Sequence, residues 1–293
     1  MPQHLRFKSK HPLTWIVLVF VLGMLVIWAF VLEPSCVSVR HPTITLLGWH
    51  AEHNDLKIAV LADLHVGAPH MSLHKLQEIV ERTNAEAADL VVLLGDLVIH
   101  GVLGGRFIEP EPITEVLKNL WAPCGVIAVL GNHDWWYNGE RVGKALQQAG
   151  IHVLENDVMR IDREGQSFWL AGLADLWTRK PDIEATLRRI PLDRNPIIML
   201  THNPDVFPDI PARVSLTLAG HTHGGQVNLP FIGRPIVPSQ FGQRYAIGHI
   251  TEQGRHLFVS GGIGTSIIPM RFRVPPEIVI LTIRGAVEGP RID

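Results

Sequence analysis

The chain has 293 residues and a mass of 32.6 kDa, enough for one large domain or two small ones. Its formal net charge of −2 excludes the basic excess typical of general nucleic-acid binders, so no nucleic-acid partner is expected. Two cysteines, Cys36 and Cys124, provide no disulfide framework, whereas a hydrophobic content of 46% is high for a soluble enzyme and indicates a membrane segment.

The first predicted element is an apolar run that begins at Leu13 and ends at Leu32. At about 1.5 Å per residue, residues 13–32 span the roughly 30 Å hydrocarbon layer of a bilayer. Arg6, Lys8 and Lys10 precede the run, so the positive-inside rule keeps the N-terminus in the cytoplasm. We predict a single-pass anchor in the inner (plasma) membrane with the remaining chain outside the cytoplasm; a cleaved signal peptide is the alternative.

The chain divides into a cytoplasmic stub with the anchor (1–33), a linker with one short strand (34–56), a folded domain (57–284) and a tail (285–293). Strands are predicted at residues 43–47, 56–62, 89–94, 125–130, 151–154, 158–161, 168–173, 196–200, 214–219, 245–248, 256–260 and 278–283, and helices at residues 73–86, 113–120, 140–149 and 183–190. The first half alternates strand and helix, and the second half is richer in strands. This pattern predicts an α/β fold of two sheets packed face to face with helices outside.

Five of the predicted strands end in residues of the kinds that bind metals. They are Asp63 and His65, Asp96, Asn132 and His133, His202, and His221 and His223. Side chains at the ends of neighbouring strands can converge at one rim of a sheet, because strands lie about 4.8 Å apart. Mixed imidazole and carboxylate ligands suit Mn²⁺, Fe²⁺, Zn²⁺ or Co²⁺, and the set is large enough for two ions. The alternative for each residue alone is an ordinary surface histidine or a capping aspartate.

Local geometry is predicted for three of these turns. Gly131 allows a sharp turn between a buried strand and Asn132-His133-Asp134. In Asp63-x-His65 and in His221-x-His223, both side chains point to one side if the strand is still extended there, since the pleat has a period of two.

The motifs Asp63-Leu64-His65, Gly95-Asp96, Gly131-Asn132-His133-Asp134, His202 and Gly220-His221-Thr222-His223 resemble, in order and spacing, those of the calcineurin-like metallophosphoesterase superfamily. The resemblance covers roughly residues 57–284. It implies a four-layer αββα sandwich of two mixed sheets that holds a dinuclear metal centre.

The resemblance also implies a role for each motif residue. One ion would be held by Asp63, His65 and His223, the other by Asn132, His202 and His221, with Asp96 bridging them. His133 would contact the substrate phosphate and protonate or stabilise the leaving oxygen, Asp134 would orient His133, and a metal-bound hydroxide would attack phosphorus. Ile99 departs from the family pattern, which often has a second aspartate there, and this difference is expected to affect ligand orientation and rate.

Four features are similar to the bacterial membrane-associated phosphodiesterase branch of the superfamily: the anchor, His202-Asn203-Pro204-Asp205, His221-Thr222-His223-Gly224-Gly225-Gln226, and the ending around Gly262, Arg271 and Glu277. Some members of that branch resemble UDP-diacylglucosamine pyrophosphatases of lipid A synthesis. The similarity implies two divalent ions, with Mn²⁺ favoured. It also implies a phosphodiester or pyrophosphate substrate that is lipid-linked or a nucleotide sugar. The alternatives are a phosphomonoesterase and a non-catalytic metal-binding scaffold.

Residues outside the motifs allow two interpretations each. Trp135, Trp136 and Tyr137 form an apolar wall for a substrate, or they pack between helix and sheet. Arg244 and Arg271 bind a substrate phosphate through their guanidinium groups, or they form surface salt bridges. Asp175 and Trp177 lie in a turn after a strand and are further candidates for lining the site, although the alternative that they do not line it is favoured. Asn132 and His133 are the other candidates for substrate contact.

Overall fold

The computed structural model describes residues 12–286 with the exception of residues 48, 50–52, 54, 164 and 194. Two mixed sheets, one of seven strands and one of six, form the centre of the described chain. The predicted α/β sandwich is confirmed. Residues 1–11 of the predicted cytoplasmic stub and residues 287–293 of the predicted tail lie outside the described residues.

The first sheet contains β1 Ser38–Arg40, β2 Thr43–Leu46, β3 Leu56–Leu61, β4 Leu90–Leu94, β5 Val126–Val129, β6 His152–Val153 and β13 Glu277–Gly285. The second contains β7 Asp157–Arg163, β8 Gln166–Gly172, β9 Ile197–Leu200, β10 Leu216–Ala219, β11 Gly248–Glu252 and β12 Arg255–Val259. Their strand orders are β1-β13-β3-β4-β5-β6, with β2 also paired to β13, and β11-β12-β10-β9-β8-β7.

The helices are α1 Pro12–Ile27, α2 Glu33–Ser35, α3 Leu73–Ala85, α4 Pro110–Leu117, α5 Asn132–Gln148 and α6 Ile183–Arg188. A π-helical turn, Trp28–Leu32, joins α1 to α2, and 3₁₀ turns occupy Pro204–Asp209, His223–Gly225 and Gly242–Tyr245. Helix α3 begins as predicted: the Ser72 side chain accepts a hydrogen bond from the Lys75 backbone N–H at 3.1 Å.

Successive side chains of a strand point to opposite faces of the sheet, and this alternation produces the layers. In β3, Ile58 and Val60 face the second sheet and pack with residues such as Phe168, whereas Ala59 and Leu61 face the helices on the other side. Helices α3, α4 and α5 cover the outer face of the first sheet, and α6 with the turn Pro204–Asp209 covers that of the second. The result is four layers with helices outside, as the resemblance implied.

Three predicted elements differ from the structure. Helix α5 begins at Asn132 rather than at residue 140 and kinks at Asn138, whose φ of −172° is not helical. The strand predicted at 245–248 is wrong, because Tyr245 ends a 3₁₀ turn and its ring is buried against Phe207 instead of lying in a sheet. The predicted linker contains β1 in addition to the expected strand β2, and both pair with β13.

The apolar N-terminal helix is continuous from Leu13 to Ser35 and is long and apolar enough to cross a membrane. Almost all of it is exposed, but its last turns contact the domain. The backbone N–H of Arg271 donates to the Ala29 carbonyl at 2.9 Å, and that of Val274 donates to the buried Glu33 carboxylate at 2.6 Å. The end of this helix is therefore attached to the segment that precedes β13.

Candidate metal centre

The predicted ligands lie together because the strands that carry them are parallel. Strands β3, β4 and β5 run parallel in one sheet, and β8, β9 and β10 run parallel in the other. Carboxyl ends of parallel strands share an edge, and this is where open α/β sheets bind ligands. The loops after β3, β4, β5, β9 and β10 deliver the predicted side chains to one buried cluster.

Five of the predicted ligands have backbone φ angles in the left-handed region, which is uncommon outside glycine. They are Asp63 (52°), His65 (43°), Asp96 (54°), His221 (70°) and His223 (51°). The backbone is therefore not extended at Asp63-x-His65 or at His221-x-His223, and the condition for the predicted shared side is not met. The chain instead turns sharply at each ligand and directs its side chain into the cluster. Strained conformations of this kind concentrate at functional sites, where the surrounding structure holds them.

The first of two ligand groups consists of Asp63, His65, Asp96 and His223, whose ligand atoms all lie within 4.8 Å of one another. The Nε2 atoms of His65 and His223 are 3.1 Å apart. The distance from His65 Nε2 to Asp96 Oδ2 is 3.5 Å, and that from His223 Nε2 to Asp63 Oδ1 is 4.0 Å. The Asp63 carboxylate also accepts the His221 backbone N–H, which joins the two sheets at this edge.

The second group consists of Asp96, His202 and His221 and shares Asp96 with the first. His202 Nε2 lies 3.3 Å from Asp96 Oδ2 and 3.1 Å from His221 Nδ1. The Asn132 Oδ1 atom completes this group at 3.1 Å from His202 Nε2. Asp96 therefore lies between the two groups and belongs to both.

The chemistry of these donors fits divalent cations. His202 Nδ1 lies 2.7 Å from the Leu94 carbonyl, which can only accept, so Nδ1 carries a proton and Nε2 faces the cluster. Burial lowers the pKa of both His65 and His221 to about 3, so their imidazoles are neutral and have a lone pair to share. Burial also raises the pKa of Asp63 to about 7. The cluster concentrates lone pairs and carboxylate charge away from water. A cation would coordinate the lone pairs and neutralise the charge.

Gly131 is required for a different reason from the predicted one. Its φ of −102° is accessible to any residue, so the turn itself does not need glycine. A Cβ atom at this position would lie 2.3 Å from Asp96 Oδ1 and 2.8 Å from His202 Cε1. Glycine is needed here because the backbone passes directly against the bridging carboxylate.

The Asp134 carboxylate forms no hydrogen bond with the His133 ring, the contact expected if it orients that residue. Its carboxylate accepts backbone N–H groups of Gly131, Asp96 and Leu97 at 2.8–2.9 Å. The carboxylate therefore connects the loop after β5 to the loop after β4 and sets the position of Asp96. It is a positioning residue.

His133 lies beside both groups at the wall of a cavity of about 320 Å³, with its Nε2 atom 4.0 Å from Asp96 Oδ2. Its backbone N–H donates to Asp96 Oδ1 at 2.8 Å. Its Nδ1 atom is buried and has no hydrogen-bond partner in the described chain. Burial lowers the pKa of His133 below its usual value, although Asp96 opposes the shift.

Aromatic side chains form one side of the cavity. Trp136 and Trp177 both line it, are about half exposed, and have ring centroids 6.2 Å apart. The Trp177 ring stands edge-on to His221 at 4.3 Å. Trp135 packs into the helix-side core instead, with the Arg179 guanidinium 4.3 Å above its ring. Of the predicted wall, Trp136 alone lines the cavity.

The predictions for Asp175, Tyr137 and Arg244 have different outcomes. Asp175 is buried, and its Oδ2 accepts the backbone N–H groups of Trp177 and Thr178, so it shapes the turn that presents Trp177. Tyr137 packs against Phe107 and donates to Glu109 on the helix side. Arg244 forms a surface ion pair with Glu252, the alternative raised for it.

Arg271 is not placed to bind phosphate. It is fully buried, and its guanidinium donates to the carbonyls of Val274, Gly261, Gly262 and Gly264. These bonds hold the glycine-rich loop that packs against Asp63. The two interpretations predicted for Arg271, phosphate binding and a surface salt bridge, are therefore both wrong.

Ile99 occupies the position of the expected second aspartate and is buried in the helix-side core, beside the loops of Gly67 and Gly105. Sequence reasoning missed His100, Gln226 and Ile267, which line the cavity. His100 had a signal, because it is a histidine four residues after Asp96. Gln226 ends the run that begins at His221, and Ile267 follows the run from Gly262 to Ser266, but neither residue was predicted to line a site.

The comparisons with known proteins agree with this geometry. A family model described as calcineurin-like phosphoesterase matches residues 56–225. The uncharacterized metallophosphoesterase YkuE of Bacillus subtilis is 32% identical over 263 residues, which cover 88% of this chain and 89% of that protein. The phosphodiesterase YaeI of Escherichia coli is 32% identical over 235 residues, covering 77% and 81%. A Danio rerio transmembrane protein with a metallophosphoesterase domain is 32% identical over 256 residues, covering 80% and 54%.

Proposed function

The chain belongs to the calcineurin-like phosphoesterase family and hydrolyses phosphoester bonds, and on this premise we propose that it cleaves phosphodiesters or pyrophosphates with two divalent cations. One observation carries the proposal. Two buried ligand groups share Asp96 at the floor of a cavity large enough for a phosphoester. A shared carboxylate between two ions is the arrangement used for in-line displacement at phosphorus.

We assign one ion to Asp63, His65 and His223, the other to Asn132, His202 and His221, and the bridging position to Asp96. When bound, the cations supply positive charge for the phosphoryl oxygens and lower the pKa of water. Mn²⁺ is the favoured ion because imidazole and carboxylate donors are mixed, and Fe²⁺, Zn²⁺ and Co²⁺ suit the same donors.

The remaining groups act on the substrate directly. His133, which lines the cavity and whose Nε2 atom lies 4.0 Å from Asp96 Oδ2, contacts the phosphate and stabilises or protonates the leaving oxygen. Asn132, which also lines the cavity, contacts a phosphoryl oxygen. Trp136 and Trp177 exclude water from one side and present flat apolar surfaces to the leaving group.

For the substrate, the Escherichia coli relative is named a phosphodiesterase, which favours a diester. We propose a lipid-linked diester or pyrophosphate, and UDP-diacylglucosamine is one compound of this class. Arg6, Lys8 and Lys10 favour an inner-membrane protein whose catalytic domain is outside the cytoplasm. Nucleotide-sugar chemistry is cytoplasmic, so this orientation favours other lipid-linked diesters over UDP-diacylglucosamine.

The test compares the full-length protein and Asp96→Ala, both supplied with Mn²⁺, on bis(p-nitrophenyl) phosphate, p-nitrophenyl phosphate and UDP-diacylglucosamine. We expect the diester to be cleaved faster than the monoester, and Asp96→Ala to lose at least about a thousandfold in kcat, or ~4 kcal/mol of transition-state stabilisation. Asp162→Ala, an exposed carboxylate on β7, is the control. Unchanged activity in Asp96→Ala would refute the dinuclear assignment. A faster monoester would indicate a phosphomonoesterase, and bound metal without turnover would indicate a scaffold.

A further inference from the structure

Five large apolar side chains are exposed beside the metal centre, and we call them the apolar rim. They are Phe231, which is fully exposed, Ile236 (77%), Ile267 (70%), Ile232 (66%) and Ile268 (43%). The two segments that carry most of them, residues 224–233 and 257–270, contain no Asp, Glu, Lys or Arg. An exposed apolar cluster of this kind marks a surface that contacts something other than water.

The apolar rim is attached to the end of the N-terminal helix. Phe231 and Ile232 lie at the tip of a hairpin closed by a bridge between Leu229 and Gly233. The base of this hairpin pairs with Phe272, next to Arg271, whose backbone N–H donates to the Ala29 carbonyl of the helix. Ile267 and Ile268 precede Arg271 by four and three residues, so they lie within about 14 Å of it along the chain.

The apolar rim also joins the metal centre to the helix. Ile236 and Ile267 line the cavity above the two ligand groups. Both also line an adjoining groove of about 210 Å³ that continues past Ile268 to Met270. Met270 is the residue before Arg271. An almost wholly apolar path thus runs from the metal centre towards the place where the helix meets the domain.

Three arginines flank the apolar rim. Arg234 follows the hairpin, Arg273 follows Phe272, and Arg40 follows the end of the helix by five residues. All three line one cavity of about 540 Å³, and none forms an ion pair with another described residue. Basic side chains beside an apolar tip favour an anionic membrane surface, where the tip enters the acyl region and the cations meet headgroup phosphates.

We propose that the apolar rim enters the bilayer that holds the N-terminal helix, and that the substrate is a membrane-resident amphiphile. Its phosphodiester reaches the metal centre from the lipid side while its apolar tail lies along the groove between Ile236, Ile267 and Met270. The occupant of this surface is the lipid bilayer, because the surface continues directly into a helix suited to span it. The substrate half of the inference rests on the proposed phosphodiesterase function, whereas the contact with lipid does not.

The activity test uses full-length protein in nanodiscs of phosphatidylethanolamine and phosphatidylglycerol, with Mn²⁺. Two substrates release the same nitrophenolate: soluble bis(p-nitrophenyl) phosphate, and a diacylglycerol p-nitrophenyl phosphodiester embedded in the disc. The variant is Phe231→Asp, since aspartate tolerates the left-handed φ of 65° at this position. The matched control is Leu192→Asp. Leu192 is 94% exposed and precedes β9, so it lies at the sheet edge opposite the metal centre.

We expect Phe231→Asp to keep the soluble rate within about twofold and to lose about tenfold on the embedded substrate, since one aromatic side chain contributes roughly that factor to apolar binding. Leu192→Asp should keep both rates. Equal rates for Phe231→Asp and wild type on the embedded lipid would overturn the inference. A wild type active only on the soluble diester would overturn its substrate half. A wild type inactive on both substrates would contradict the proposed function instead.

A second measurement tests the lipid contact without activity. Phe231→Cys and Leu192→Cys are made separately in a Cys36→Ser, Cys124→Ser background and labelled with an environment-sensitive fluorophore. Lipids that carry a nitroxide on the acyl chain should quench the label at 231 and leave the label at 192 bright. Equal quenching at the two positions, or quenching at 231 only when a protein partner is added, would overturn the inference.

Discussion

The metal-ligand groups and the apolar rim depart from the usual distribution of side chains in opposite ways. Asp63, Asp96 and His202 are polar and almost fully buried, whereas Phe231 and Ile267 are apolar and exposed. Soluble proteins ordinarily bury the second kind and expose the first. The two regions adjoin each other through the cavity that Ile267 lines.

Neither region is explained by the stability of the isolated chain. Burying carboxylates and imidazoles with their lone pairs turned towards one another costs free energy, and so does exposing large apolar side chains to water. Each arrangement becomes favourable only when a further component is present. We propose that this component is a pair of cations for the ligand groups and lipid for the apolar rim.

The largest expected effect separates the two regions. Removing divalent ions with a chelator should abolish phosphodiesterase activity, and adding Mn²⁺ should restore it. Ligands that bind only the folded state stabilise it, by about 2.7 kcal/mol at a hundredfold excess over Kd. The midpoint of thermal unfolding should therefore rise with Mn²⁺ in wild type and in Phe231→Asp, and much less in Asp96→Ala. An equal rise in all three proteins would show that the ions bind elsewhere.

The next largest effect concerns the close approach of the Gly131 backbone to the Asp96 carboxylate. In Gly131→Ala the added Cβ would displace Asp96, so kcat should fall by more than about a hundredfold, as a shift of about 1 Å at a reacting centre does. Gly143→Ala in α5 is the control, because its Cβ would meet only Leu130 at an ordinary 3.8 Å. This control should keep its activity and gain up to about 1 kcal/mol in unfolding free energy. Similar rates for the two variants would contradict the role of Gly131.

A smaller effect tests positioning against direct catalysis. Asp134→Asn places an amide NH₂ against some of the backbone N–H groups that the carboxylate now accepts, so Asp96 should move. We expect kcat to fall about 10–100-fold and the Mn²⁺ requirement to rise, as for other residues that orient ligands. A loss as complete as that of His133→Ala, with unchanged Mn²⁺ affinity, would instead indicate that Asp134 contacts the reacting atoms.

The smallest effect lies at the boundary of the two regions. Trp177→Ala removes an aromatic surface beside His221, so KM for bis(p-nitrophenyl) phosphate should rise roughly two- to tenfold with little change in kcat. Trp121→Ala, another exposed tryptophan that does not line the cavity, should leave both constants unchanged. A fall in kcat without a change in KM would mean that Trp177 acts on the ligands and not on the substrate.

Much of this protein could be predicted from the sequence, because its main signals are local. The apolar run of residues 13–32, the strand patterns and the capping Ser72 depend on neighbouring residues alone. The metal-binding residue types, each at the end of an apolar run, identified the candidate ligands. Parallel strands bring such ends to one edge, so the existence of a site followed from pattern and the general rules of sheets.

Tertiary structure decided the features that depend on residues distant in sequence. The role of Asp134 depends on backbone N–H groups some 37 residues away, and Arg271 is buried by the carbonyls of a loop that curls around it. The left-handed backbone at the ligands and the start of α5 at Asn132 could not be predicted either. Local propensity does not include the free energy of bringing distant side chains to one metal centre. The apolar rim appears only when the hairpin, residues 266–270 and the end of the N-terminal helix are brought together, because exposure is a property of the packed molecule and not of any one segment.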